Sequence, residues 1–463
     1  MAALAVAALG LGVSACGHPA TAAGGSHPAG TPTATAAGTA GSAGGALVVA
    51  NKGFEGHGRL AFVSGNRLYI LDGTVAGKPA TLYPVTAGKV PADPAWSPDG
   101  RWLAFLVGAP GADGSVTAGQ LWLTGPDGQD AHPVLADSGP FAWSPKTDVL
   151  AAISGNSLDT LAPGQAPQPA LTMAGLTGTP AWSPDGATIA VSVLHYTAGK
   201  GFTGSDIELV TPRRGRAAVT DFTHSASDAL LVDGWQGDGQ GLFAWSDPQD
   251  ADAADGVPLV SYPLHGKVVT LPSTLVYPSF AVPGGNGVLV VTGGDRYLWN
   301  AKTFESCSAG GDCGPAIDAT PAPVNLDPAW APYLGGEPMM AFVHASPETT
   351  SGLGQPVLDA WYKTRQLWIW DGTGANPYQV TGAGTGIAAP VWSANDKLIL
   401  YVGNNALWLI DPFGGPVETT PGHPALHGGT PIPVVSQLFA GPWPDFYGDT
   451  DWQSQFAWYQ PAA

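Results

Sequence analysis

Pro94-Ala95-Trp96-Ser97-Pro98-Asp99-Gly100 and Pro180-Ala181-Trp182-Ser183-Pro184-Asp185-Gly186 are the same seven residues written twice, and Phe141-Ala142-Trp143-Ser144-Pro145 is a shorter copy. Each reads as a strand end running into a tight hairpin. Ser at i, Pro at i+1, Asp at i+2 and Gly at i+3 meet the demands of a type I turn, with Gly free to take positive φ. Degraded copies stand at Trp235-Gln236-Gly237-Asp238-Gly239, Pro328-Ala329-Trp330-Ala331-Pro332 and Pro390-Val391-Trp392-Ser393-Ala394-Asn395-Asp396, and Tyr277-Pro278-Ser279-Phe280 reads as another with Phe in place of Trp.

The residues after each turn repeat as well. A β-rich second strand comes first, as in Trp102-Leu103-Ala104-Phe105-Leu106, Thr188-Ile189-Ala190-Val191 and Met339-Met340-Ala341-Phe342-Val343. An alternating third strand is next, as in Gln120-Leu121-Trp122-Leu123, Ile207-Glu208-Leu209-Val210 and Gln366-Leu367-Trp368-Ile369-Trp370, and then a weaker fourth. Four strands every 40–60 residues or so is the period of propeller blades. A β-sandwich with chance Trp-Ser-Pro turns would not place the same turn at the same point of each unit.

The expected fold is therefore all-β, a single β-propeller of four-stranded blades. First strands anchored by Trp96, Trp143, Trp182, Trp235, Phe280, Trp330 and Trp392 give seven. An eighth second strand, Arg59-Leu60-Ala61-Phe62-Val63, has no anchored strand before it, while Gln455-Phe456-Ala457-Trp458-Tyr459 supplies one at the C-terminus. Eight blades are favoured, with the C-terminal strand completing the first blade and closing the ring. Closure removes the unpaired edges that an open propeller would leave. Seven blades is the fallback if the unit at 275–326 is irregular.

The repeat resembles the TolB-like propeller family, whose blades carry a Trp-Ser-Pro-Asp-Gly turn between their first and second strands. The resemblance covers about 58 to 463 and implies this fold and a binding role in the cell envelope. TolB proteins also carry an N-terminal α/β domain that nothing in these residues matches, so a role in the Tol–Pal system is not carried over. The Gly/Ala-rich composition looks actinobacterial.

The N-terminus reads as an export address. Met1–Ala15 is apolar and too short to span a bilayer, which needs about 20 residues, but it has the length of a signal-peptide core. Val13-Ser14-Ala15-Cys16 resembles a bacterial lipobox, which assigns lipidation to Cys16. Signals ordinarily open with Lys or Arg, and none precedes Cys16, which points to a start codon further upstream. The division expected is a lipoprotein signal peptide at 1–15, lipidated Cys and flexible Gly/Ala/Thr/Pro tether at 16–50, and propeller at 51–463. The chain is then held at the extracytoplasmic face of the cell membrane by its lipid.

Cys307 and Cys313 remain, six residues apart in a Gly-rich stretch. The spacing lacks the His partners of a zinc site and the Cys-x-x-Cys of a redox pair, so the pair reads as a structural disulfide, as export would allow.

Charge narrows the partners. With 17 basic against 36 acidic residues the net charge is −19, and no cluster offers the basic face that nucleic acid requires. Arg213-Arg214-Gly215-Arg216 reads as a solvated turn. Asp250-x-Asp252-x-Ala254-Asp255-Gly256 breaks the calcium-loop pattern at its fifth position, and Ser261 stands where its closing Glu belongs. His423 and His427 lie in a Gly/Pro loop without carboxylate partners. Neither sialidase boxes nor a Gly-x-Ser-x-Gly elbow occurs. No catalytic residue, metal or cofactor is expected.

Asp93 and Asp327 each precede a Pro-Ala-Trp, just before a first strand, a position that the resemblance to TolB-like propellers implies faces a channel mouth. They are strand-start caps or part of an acidic ring that receives a ligand. The expected function is a monomeric, membrane-anchored propeller that binds an envelope protein, a peptide or a glycan. The alternative is a propeller hydrolase, glycan- or lactone-active, with a channel metal or paired carboxylates.

Overall fold

The computed structural model describes residues 47–461 apart from 77–80, 84–87, 112–115, 214–216, 249–255, 275–280, 293–296, 318–322, 333–338, 349–354, 371–376, 416–425, 439–451 and 453. Cys16, Phe280, Arg214, Arg216, Asp250, Asp252, Asp255 and His423 lie outside the described residues.

The chain is all-β, a succession of antiparallel meanders in the manner of propeller blades. Among the described residues the strands form five four-stranded sheets, one of three strands and one of seven. The seven-stranded sheet is two meanders sharing the long strand His132–Trp143. Its first half pairs with Gly119–Thr124 and its second half with Leu150–Ser154, and it bends at Asp137, whose φ is 51°. Counted this way, eight meander units succeed one another among the described residues. In the first unit, Phe456–Tyr459 pairs antiparallel with Arg59–Ser64, setting Phe62 opposite Phe456 and Leu60 opposite Trp458. Among the described residues the sixth unit is the reduced one. Its strands there are Val288–Thr292, Thr303–Cys307 and Cys313–Pro315, with a bridge from Ala281 to Val288; the expected first strand at Phe280 lies outside the described residues.

The repeated turn forms for the reasons its residues suggest. The Gly100 amide donates to the Ser97 carbonyl at 2.8 Å, with Gly100 at φ 67°. The buried Ser97 hydroxyl donates to Asp99 Oδ1 at 2.7 Å and accepts from the Trp102 amide at 3.1 Å. Ser183 and Asp185 repeat this arrangement, and Ser393 with Asn395 reproduces it in a degraded copy. There Asp396 takes the glycine's place at φ 55°.

The motif also joins one unit to the next. The indole Nε1–H of Trp143 donates to the carbonyl of Ala95, the residue before the preceding unit's Trp, at 3.0 Å. Trp182 reaches Ala142 at 3.2 Å, Trp235 reaches Ala181 at 2.9 Å and Trp392 reaches Ala329 at 3.0 Å. Trp96 makes the same bond at 3.2 Å to Ala457, on the C-terminal strand.

The core consists of seams between sheets. Ala61, Val63, Leu68 and Ile70 pack on Leu103, Phe105 and Val107 between units one and two. One continuous cluster runs from Phe243 in the fifth unit, through Phe304, Phe342 and Leu400, to Leu60 and Phe62 in the first. Each second strand is thus covered on both faces, which is why these strands read as unbroken apolar runs; Leu103–Gly108 is buried throughout.

One helix, Gln355–Tyr362, lies between the second and third strands of the seventh unit and was not foreseen in the sequence. At the other end of the chain, Val49 bridges Val435 in the last sheet.

Candidate functional site

A four-stranded meander puts its first-to-second turns at one end of the molecule. Its second-to-third connections, and the crossings to the next unit, lie at the other. At the turn end lie the tight first-to-second turns just described, whose polar groups are committed to one another, together with the third-to-fourth connections, which differ in length from unit to unit. Asp99 is partly buried, which opposes ionisation, yet the Arg101 amide, the Ser97 hydroxyl and the Arg101 guanidinium hold its carboxyl down to about 2. Arg101 also reaches Asp148 of the neighbouring turn at 3.2 Å. Burial and the adjacent Asp99 push the Asp148 carboxyl up.

At the other end the second-to-third connections vary in length, from 65–66 in the first unit to 346–365 in the seventh. The fourth unit contributes a hairpin that outreaches the other sheets, with Ile189–Thr197 paired to Gly201–Thr211 over nine residue pairs. Near its tip Tyr196 is 63% exposed and meets Phe202 edge-on at 5.8 Å. At its base, His195 Nε2 lies 2.5 Å from Asp206 Oδ2, and His224 Nδ1 lies 2.5 Å from Asp206 Oδ1. Partial burial works against ionisation of Asp206, but the two imidazoles hold its carboxyl below the ordinary range.

Asp93 and Asp327 occupy equivalent positions midway along the first strands rather than before them, half-buried. Each sits at a register shift in the left-handed region, at φ 52° and 48°, a conformation Asp tolerates better than most residues. Asp327 Oδ2 accepts the amide of Ala389, the equivalent bulge residue of the next unit, at 3.1 Å. The Asp93 amide donates to Ser454 of the first unit at 2.9 Å. Both residues tie neighbouring first strands together.

Close by, His344 Nδ1 lies 2.9 Å from Asn325 Oδ1, and its ring packs on Trp368 at 4.6 Å. Burial lowers its pKa to about 4, so it is neutral at physiological pH. Two basic groups are built into the framework. Lys302, fully buried, donates from Nζ to the carbonyl of Tyr297 at 2.9 Å, and the Arg365 guanidinium lies over the Tyr362 ring at 4.2 Å and the Trp361 ring at 4.7 Å. Sequence reasoning missed the His195–Asp206–His224 cluster, because its members come from three strands and no motif spans them.

Cys307 and Cys313 are joined in a disulfide across the Gly-rich turn. Among the described residues no group of three His, Cys, Asp or Glu is arranged to hold a metal ion, and no helix is long and apolar enough to cross a membrane.

No protein-family model matches the chain, and no curated protein matches it. Among solved structures it is similar to the acylaminoacyl peptidase of Pyrococcus horikoshii, at 11% identity over 69% of this chain and 51% of that one, with TM-score 0.44. It is similar to dipeptidyl peptidase 4 of Porphyromonas gingivalis, at 10% identity over 77% and 58%, with TM-score 0.47. It is also similar to TolB from Acinetobacter baumannii, at 15% identity over 73% and 66%, with TM-score 0.34. The chain spans about half the length of the Pyrococcus peptidase.

Proposed function

We propose that this chain is a binding propeller of the cell envelope, an eight-bladed ring closed by its C-terminal strand and held to the membrane by a lipid on Cys16. Its loop end recognises a protein, a peptide or a glycan. The observation that carries this reading is the long hairpin of the fourth unit, which presents the exposed Tyr196 ring, with the half-buried Phe202 beside it, at the end of the second-to-third connections. Rigid frames that vary only in their loops are how binding surfaces are made, and aromatic side chains recur as their anchors. Asp93 and Asp327, at the bulges of their first strands, are the acidic positions assigned to the path a ligand would take from that end. Pairing of Phe456–Tyr459 with Arg59–Ser64, together with the bond from the Ala394 amide to Gln460 Oε1 at 2.8 Å, supports closure between the last unit and the first.

The test is cross-linking capture from envelope extracts with the full chain and with the double variant Tyr196→Ala/Phe202→Ala. A specific partner captured by the parent and at least tenfold less by the variant supports the reading. Equal capture removes the hairpin from it, and no specific partner overturns it. In the same cells Cys16→Ala is expected to move the protein out of the membrane fraction.

A further inference from the structure

Glu208 is, among the described residues, a buried carboxyl with an unpartnered oxygen. It stands mid-strand in Gly201–Thr211, only 5% exposed. Its Oε2 has no hydrogen-bond partner among the described residues. Buried carboxylates are ordinarily paired or hydrogen-bonded, so an orphan of this kind calls for an account.

Register defines its surroundings. Glu208 faces Val191 on one neighbouring strand and Asp221 on the other, and Asp206, two residues away, shares its face of the sheet. Val191 and Val210, on that same face, pack against Ile153, Leu158 and Leu171 of the third sheet. The carboxyl therefore lies between an apolar seam and two acids, the exposed Asp221 and Asp206, the latter hydrogen-bonded to His195 and His224. A carboxylate directly opposite another across an antiparallel pair is repulsive. The groups acting on it are Asp221 and Asp206, with His195 in opposition. The third unit contributes the apolar side chains Ile153, Leu158 and Leu171 to that seam. In sequence, Arg213, Arg214 and Arg216 follow this strand, the last two outside the described residues.

Neither geometry nor charge favours the ionised form here. We propose that Glu208 is a proton-binding site built into the seam between the third and fourth sheets, one that keeps the seam and the projecting hairpin closed while protonated and loosens them when it ionises. Ionisation breaks the carboxyl O–H bond, releases the proton to solvent water and leaves a buried negative charge between Asp206 and Asp221. Burial first, and the negative charges of Asp221 and Asp206 next, push the carboxyl up from its ordinary value. That direction fixes the sign of the pH dependence. A carboxyl whose pKa is higher in the folded than in the unfolded chain stabilises the fold fully below the ordinary carboxylate range. That stability is lost as pH rises through the folded value. The site would act in this way whatever the hairpin binds.

The experiment compares the full chain with Glu208→Gln, which keeps the shape of the protonated form. Amide hydrogen exchange, corrected for its intrinsic pH dependence, is followed from about pH 4 to pH 8. In the parent, exchange within 189–211 and 168–172 is expected to accelerate severalfold relative to the variant as pH rises, with the two alike at the acid end. A protonated-carboxyl infrared band lost in Glu208→Gln is the second expected result, and it reads the proton directly. Parallel profiles with no such band overturn the proposal. So does a parent melting temperature raised by calcium, manganese or zinc when that of Glu208→Gln is not, since a cation then fills the site. Loss of the difference in Arg214→Gln/Arg216→Gln overturns it in favour of an ion pair.

Discussion

Gly100 shows how much of this fold rests on single atoms. It closes its turn at φ 67°, and a Cβ placed on it would fall within the ring of Tyr459 on the neighbouring first strand. Gly155 closes another hairpin at φ 57° with nothing within 4 Å of its Cβ position. The pair separates two costs. Gly155→Ala meets only the left-handed backbone penalty, about 1 kcal/mol. Gly100→Ala adds an overpacked contact between two units, and the sum is about 3 kcal/mol or more. Thermal and urea melts of both variants check the order; equal losses would mean that the turn does not seat on its neighbour. The need for Gly was legible in Ser97-Pro98-Asp99-Gly100, because turn chemistry is local. The contact with Tyr459 was not, because it joins residues from opposite ends of the sequence. Trp96 repeats the lesson. An aromatic anchor was plain from the repeat, whereas its Nε1–H bond to Ala457 needs the adjacent sheet to be in place.

Strands were legible where periodicity recurred and obscure where tertiary packing decided. The helix Gln355–Tyr362 spans only two turns, too short to be stable alone. It is held by Leu358, Trp361 and Tyr362, all buried, and by the Trp361 Nε1–H bond to the Ser346 carbonyl at 2.9 Å. No repeat signals it, since among the described residues its sister units have no counterpart. The sixth unit is the opposite case, a weak stretch of sequence that yields a sheet of three described strands. Its disulfide has a job there: Cys307 and Cys313 lie directly opposite each other at the end of the short last strand Cys313–Pro315. Closing so small a loop contributes about 2–3 kcal/mol on the chain-entropy model. Cys307→Ala/Cys313→Ala is accordingly expected to melt earlier than the parent by that amount. Proteolysis is expected to cut first within 303–315; cleavage starting in another unit would show the staple to be dispensable. The candidate site was the least legible part. Asp93 and Asp327 were found through their place beside Pro-Ala-Trp. Their duty as bulge residues comes from a register shift that no single strand's sequence displays.

At the scale of the whole molecule, what distinguishes a ring from a row of sheets is the last strand. Phe456–Tyr459 gives the first sheet its fourth strand, and Trp458 Nε1 donates to the His57 carbonyl at 2.6 Å. Ala457 accepts the Trp96 indole, and Gln460 accepts the Ala394 amide of the last unit. This short segment thus touches the first, second and eighth units together. Ending the chain after Ser454 would expose Leu60 and Phe62, both now fully buried, and leave Arg59–Ser64 as an unprotected edge. Such an edge recruits any available strand. The truncated protein is expected to retain β circular dichroism, because the other seams are intact, but to run as dimers and larger species on size exclusion with a lowered melting temperature. If the strand acts as a clasp, a synthetic peptide of residues 455–461 added in excess should bind by strand addition and return the monomer. Its Trp458→Ala counterpart should do so less well, lacking both the indole donor and its buried area. A truncated chain that stays monomeric and melts with the parent would mean that the units hold their arrangement without a clasp, and the ring proposed from the first and last strands would have to be given up.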